Sequence, residues 1–209
     1  GAVSLPQAGV FLALLLALGL LILLQMKPLG TVLGLVSMVP VILYPLAKRV
    51  TDYPQAVLGL TFNFGALIGW AAISEEFQWP MTLLYLGCIA WTFGYDTVYA
   101  HQDKSDDAIV GVRSTALKFG SASRLAISVS YLIAAAFWLF CLLNLGFTGA
   151  FLISGIGLGF VLVRMLYTAQ STDFDDPADS LRTFKGEQVT GWIFGAALAF
   201  AWLLVALPN

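Results

Sequence analysis

The chain is 209 residues long, 59% hydrophobic and only 11% charged, with a net charge of -2 and a mean hydropathy of +0.88. So apolar a composition excludes an ordinary soluble domain and marks an integral membrane protein, and the lack of a basic face excludes nucleic-acid binding. Cys88 and Cys141 both lie within apolar stretches, which argues for two small buried side chains rather than a disulfide framework.

The first residues, Gly-Ala-Val-Ser-Leu-Pro-Gln-Ala, have neither the basic region nor the cleavage site of a signal peptide. They read as the inside of a longer protein, a processed mature terminus being the alternative. A helix needs about 20 apolar residues to cross a bilayer. Seven stretches meet that need: Ala8 to Met26, Leu29 to Ala47, Gln55 to Ile73, Pro80 to Ala100, Leu125 to Leu143, Phe147 to Ala169, and Val189 to Leu207. All are expected to be helices. Backbone groups in lipid must be satisfied within the segment, and none of the runs shows the period-2 alternation of a barrel strand. The fold class predicted is therefore all-α, a single transmembrane domain over residues 1–209 with seven spans. Gly155, Gly157 and Gly159 are read as points of close helix approach.

Charge in the loops sets the orientation. Of ten Lys and Arg residues, nine (Lys48, Arg49, Lys104, Arg113, Lys118, Arg124, Arg164, Arg182 and Lys185) lie in or beside the loops after spans two, four and six. Lys27 alone lies on the opposite side. By the positive-inside rule these loops face the cytoplasm. Gly1 is then inside and Asn209 outside, with Ser74 to Trp79 at the outer interface.

Three constellations share the inner side. The first is Asp-Thr-Val-Tyr-Ala-His-Gln-Asp-Lys-Ser-Asp-Asp, from Asp96 to Asp107. Carboxylates at a bilayer edge are costly, so a cluster of them points to function. On a helix, Asp103 and Asp107 fall within about 20° of Asp96, with Asp96 roughly 10 Å deeper. Oxygen ligands so spaced suit magnesium, which takes one or two carboxylates and completes its shell from phosphates. The plainer reading of Asp103, Asp106 and Asp107 is a solvated loop or a helix cap.

The second constellation is Tyr44-Pro-Leu-Ala-Lys48-Arg49, where Tyr44 and Lys48 share a helix face and two cations end span two. They make an anion site or, more plainly, snorkel to the interface. The third is Gly111-Val-Arg-Ser-Thr-Ala-Leu-Lys-Phe-Gly120, whose Arg113 and Lys118 suit phosphate in what is otherwise an amphipathic interfacial helix. His101 is the lone histidine and is expected to face solvent. The second acidic run, Asp173 to Asp179, is interrupted by Pro177 and reads as a turn capping the segment before span seven.

The Asp96 to Asp107 run, followed by Gly111 to Gly120, closely resembles the second aspartate-rich motif of the UbiA superfamily, specifically the 4-hydroxybenzoate polyprenyltransferases. Tyr44-Pro-Leu-Ala-Lys-Arg with Pro54-Gln-Ala-Val-Leu-Gly-Leu-Thr-Phe-Asn63 resembles a second segment of those enzymes, and the likeness runs from about Gly1 to Phe184. It implies a nine-helix bundle of which this chain carries helices three to nine. The family's first motif, an Asn-Asp pair followed by spaced aspartates, is absent from the 209 residues, is expected before Gly1, and without it the chain is expected to be inactive alone. Gly186-Glu187 departs from the Ser-Asn-like pair expected after Phe-Lys.

The implied reaction belongs to ubiquinone biosynthesis: a polyprenyl group passes from polyprenyl diphosphate to 4-hydroxybenzoate, with Mg2+ as cofactor. Membrane lipid takes the tail. On that resemblance Asp103 and Asp107 bind metal, with Asp96 as ligand, second partner or base; Arg113 and Lys118 hold diphosphate. Lys48 or Arg49 takes the acceptor's carboxylate, and Tyr44 orients it. Phe62, Phe64 and Trp91 are candidates to face the allylic cation, or else core. The implied location is a bacterial or mitochondrial inner membrane. Alternatives are transfer to homogentisate, a naphthoate or haem, and an ion- or proton-coupled transporter.

Overall fold

A computed structural model describes residues 3–145 and 150–206. Every regular element among them is helical, in the order α1 (Leu5–Leu23), α2 (Pro28–Val50), α3 (Pro54–Phe62), α4 (Phe64–Ile73), α5 (Trp79–Gln102), α6 (Lys104–Val110), α7 (Thr115–Phe119), α8 (Ser123–Asn144), α9 (Ala150–Ser171) and α10 (Pro177–Ala206). All seven predicted stretches fall on helices; the start of the sixth, at Phe147, and Leu207 lie outside the described residues. Among the described residues, five helical segments are long and apolar enough to cross a membrane: Leu5–Leu23, Pro28–Val50, Pro54–Ile73, Thr115–Asn144 and Leu152–Ser171.

Prolines open α2, α3 and α5 from their first turns, where the missing N–H has no intrahelical acceptor to lose. Ser4 and Gln7 close a capping box on α1. The Asp173 to Asp179 run behaves as expected of a cap: Asp176 Oδ1 accepts the Ala178 N–H at 2.9 Å, and α10 starts at Pro177.

Two departures from the predicted spans bear on the site. The third stretch is not one helix but α3 and α4, parted at Asn63. Asn63 Nδ2 donates to Gly59 O at 2.8 Å, to Thr92 Oγ1 at 2.7 Å and to Cys88 O at 3.2 Å, so the break is held by a side chain that ties it to α5. The acidic stripe is likewise broken. α5 ends at Gln102, Asp103 takes a non-helical conformation, and α6 restarts at Lys104.

The core lies where α5 crosses α8 and where α9 and α10 close over both. Trp138 stacks on Phe194 at 4.6 Å and meets the edge of Trp91 at 5.7 Å. The helices approach closely because α5 carries glycine at the two points of contact: a Cβ at Gly87 would collide with the Trp138 ring, and one at Gly94 with the Tyr131 ring. α1 stands at the other extreme, with no buried residue and an apolar perimeter suited to lipid.

Gly94→Ala is therefore expected to destabilise the bundle by about 1–3 kcal/mol, the usual result of forcing a group into a filled core. Gly65→Ala, whose new methyl would meet nothing within 4 Å, is the control. Thermal unfolding in detergent that ranked the two variants alike would contradict this packing.

Candidate functional site

α2, the α3/α4 break, α5 to α7 and the start of α10 meet at one end of the bundle. The meeting is held by backbone as well as side chains. The Arg113 N–H donates to Lys48 O at 2.9 Å and the Val112 N–H to Asp107 O at 3.1 Å. Gly111, at φ 76°, ends α6 in a left-handed turn that a side chain would strain. Beyond it the Thr115 N–H donates to Gln55 Oε1 at 3.1 Å, and the Thr115 and Thr97 hydroxyls are 2.8 Å apart. The stretch from Gly111 to Thr115 is thus strapped to α2, α3 and α5.

These straps bring the predicted residues together as pairs. Lys48 Nζ lies 3.2 and 3.3 Å from the two oxygens of Asp107, which is 7% exposed. Asp96, one face of α5 deeper, is within electrostatic reach of Lys48 and Asp103, and Tyr44 of Asp96 and Tyr99. Arg113 and Lys118 also converge, on a residue the sequence did not single out: Asp52 Oδ2 is 3.2 Å from Lys118 Nζ, and Asp52 Oδ1 3.7 Å from Arg113 Nε. Arg49 is exposed, and Asp106 faces solvent beside the buried Asp107.

The donor set at this end is all oxygen, which fits a hard divalent cation. No three His, Cys, Asp or Glu side chains among the described residues group to hold a metal. What fits is an ion that takes Asp103 and Asp107 and draws its remaining ligands from phosphate and water. The ammonium of Lys48 already occupies the cation's place beside Asp107.

Next to these charges an apolar cavity of about 350 Å³ opens, lined by Phe62, Asn63, Trp91, Tyr95, Phe184 and Glu187, with Lys185 and Gln188 at its edge. Tyr95 adjoins Asp96 in sequence, and Phe184 bridges Tyr95 and Tyr99 at 5.8 and 4.7 Å. Along α5, Asp96 thus directly follows a cavity-lining residue. Of the aromatic candidates, Phe62 and Trp91 line it, while Phe64 packs against Tyr85 at 5.6 Å instead.

His101 does not face solvent as expected. It is 3% exposed and stacks on Phe174 at 4.5 Å, with the Arg124 guanidinium also 5.0 Å from the Phe174 ring. Arg124 donates to the carbonyls of Ala169, Gln170 and Thr172, capping the end of α9. His101 thus anchors the α9–α10 turn. Neither that role nor Asp52's could be read locally, because both depend on partners distant in sequence.

The model of the UbiA prenyltransferase family matches residues 1–194. A mitochondrial 4-hydroxybenzoate polyprenyltransferase of Schizosaccharomyces pombe is 41% identical over 97% of this chain and 57% of its own length. Its namesake in Drosophila melanogaster is 40% identical over 98% of this chain and 52% of its own length. The Arabidopsis thaliana protein of that name is 53% identical over 57% of this chain. The chain spans about half the length of the first two relatives. Among solved structures, the apo structure of a UbiA homolog from Aeropyrum pernix K1 shares the fold, with a TM-score of 0.77 over 96% of this chain and 74% of that one at 20% identity. An all-helical bundle with charges gathered at one end, matched by the family model over nearly its whole length, belongs to the UbiA prenyltransferase family.

Proposed function

We propose that the protein transfers a polyprenyl group from polyprenyl diphosphate to 4-hydroxybenzoate, with magnesium, in a mitochondrial inner membrane and as a step toward ubiquinone. The names of its relatives support the acceptor. The observation that carries the reading is the pairing of two features in one bundle: acids and bases paired at its end, and an aromatic-lined cavity walled by the same α5 that leads into them. A diphosphate headgroup and a lipid tail need those two environments side by side. The seven stretches are then helices three to nine of a nine-helix bundle.

In this reading Arg113 and Lys118 leave Asp52 to hold the diphosphate oxygens, fixing the donor's head. Bound by Asp103 and Asp107, magnesium would neutralise the diphosphate and ease its departure. The bond from the allylic carbon to the diphosphate oxygen breaks, and its electron pair leaves with the diphosphate. The ring carbon beside the acceptor's hydroxyl supplies the pair for the new carbon–carbon bond. The proton displaced from that carbon passes to Asp96, which follows the cavity-lining Tyr95 on α5. Lys48 or Arg49 holds the acceptor's carboxylate and Tyr44 orients the ring, while the cavity walls keep water from the cation.

In the protein made from its whole reading frame, Asp103→Ala and Asp107→Ala are each expected to lower magnesium-dependent prenylation at least about a hundredfold, as losing a preorganised electrostatic group does. Unchanged melting temperatures would show that the fold is kept. Turnover retained in both variants would end the metal assignment. Offering 4-hydroxybenzoate, homogentisate and a naphthoate with one labelled donor tests the acceptor, and preference for either rival would displace the reading.

Asp52 gives a second prediction. Exposed ion pairs are worth at most about 1 kcal/mol, so Asp52→Asn, by freeing Lys118 and Arg113, is expected to lower the donor's KM by up to about fivefold without changing kcat. Steady-state kinetics at low ionic strength measure it. A raised KM would mean that Asp52 helps hold the donor.

A further inference from the structure

Gly186-Glu187 is the point at which the chain departs from the pattern of the family it resembles, and the structure gives both residues work. Glu187 is 4% exposed, on the face of α10 that meets α5 and α9 in the cavity wall. Its Oε2 accepts the Trp91 indole N–H at 2.9 Å, and Oε1 accepts a long hydrogen bond from Thr168 at 3.5 Å. Arg164 holds this part of α10 in place, Nε donating to Thr190 Oγ1 at 3.0 Å and Nη2 to Gly186 O at 2.8 Å. The bare Gly186 lets the guanidinium in, since a Cβ there would stand 3.3 Å from Nη2.

Trp91 is thereby held at both ends of its ring. Tyr95 and Trp138 meet it edge-on, at 5.3 and 5.7 Å, and Glu187 holds the indole nitrogen. An indole N–H in an apolar wall seeks an acceptor, so the carboxyl selects the orientation in which Trp91 lines the cavity. Trp138, by contrast, has no oxygen acceptor for its nitrogen among the described residues and is held by stacking on Phe194. A hydrogen bond from the indole N–H to a carboxyl also shifts electron density into the ring. Among aromatic faces, tryptophan's attracts a cation most strongly.

We propose that Glu187 is a positioning residue for prenyl transfer, holding Trp91 through its indole nitrogen so that the ring faces the allylic cation in the cavity. The assignment rests on the reading above that the cavity receives that cation. Glu187 acts through Trp91 and not on the substrate.

The test uses the protein made from its whole reading frame. Glu187→Met removes the acceptor at similar volume and is expected to lower kcat about tenfold, with both KM values within about twofold of the wild type. Glu187→Gln, which keeps an acceptor carbonyl, is expected to restore most of kcat. Trp91→Phe loses as much as Glu187→Met, and the double variant loses no more than either. Wild-type kcat in Glu187→Met, no rescue by Gln, or additive losses would each overturn the proposal, as would a fall in melting temperature with kcat unchanged. If Glu187→Met does not fold, Trp91→Phe decides, and its unchanged kcat overturns the proposal. The wild type in the same assay separates the two claims: if it transfers the prenyl group while Glu187→Met is normal, the Glu187 role fails and the proposed reaction stands; if it transfers none to any acceptor offered, the reaction itself fails.

Discussion

The pairing of Lys48 with Asp107 is the contact on which the charged end of this bundle depends. It joins side chains 59 positions apart, and with the Arg113 N–H bonded to Lys48 O it fixes the end of α2 against the α6–α7 turn. The reason is the solvent. In a bilayer a charge cannot be left to hydrate, and even at the edge a buried carboxylate needs a cation nearby. Once α2 and α6 are drawn together, Gln55 can reach the Thr115 N–H, and Thr97 can meet Thr115. A loop that would otherwise be free is fixed against α2, α3 and α5.

Much of this was legible because lipid imposes strict rules. A run of about 20 apolar residues has one stable form there, so the helices could be placed from hydropathy alone. Lys and Arg gather in the loops at one end, which is why that end was singled out for the proposed chemistry. Breaks were harder to see. Gln55 to Ile73 reads as one span because hydropathy does not register the loss of a turn at Asn63. The compensation comes from Thr92 and Cys88 on another helix. Asp103 gave no warning either, since a residue between two helical segments leaves the phase of its neighbours nearly unchanged.

Side-chain partners divided in the same way. Asp103, Asp107, Arg113 and Lys118 could be singled out because they cluster locally in the sequence. Asp52 was missed: one acid beside Thr51 and Tyr53 looks like an ordinary loop residue until Lys118, 66 positions on, folds against it. His101 was misplaced for the converse reason. Its neighbours Gln102 and Asp103 are polar, and only Phe174 on the turn before α10 gives it an apolar face to stack on. Glu187 drew notice as a departure, but its role depends on Trp91, 96 positions away.

The two ion-pair groups differ in what they ask of a ligand. Asp52, Lys118 and Arg113 are all substantially exposed, and such pairs are worth about 0–1 kcal/mol. In the proposed reaction a diphosphate carrying several charges would displace one carboxylate easily, so these cations are held in place yet remain available to it. Asp107 is different, because its carboxyl is buried and loses about 1–3 kcal/mol if left without a partner. It therefore keeps a cation at all times, and in the proposed reaction a metal can take that place only as Lys48 gives it up. In that proposal the Lys48 ammonium, so released, is the group offered to the acceptor's carboxylate. One ion pair would then link filling of the donor site to readiness of the acceptor site. That linkage requires Lys48 to reach both partners, as its position at the end of α2, between Asp107 and Asp96, allows.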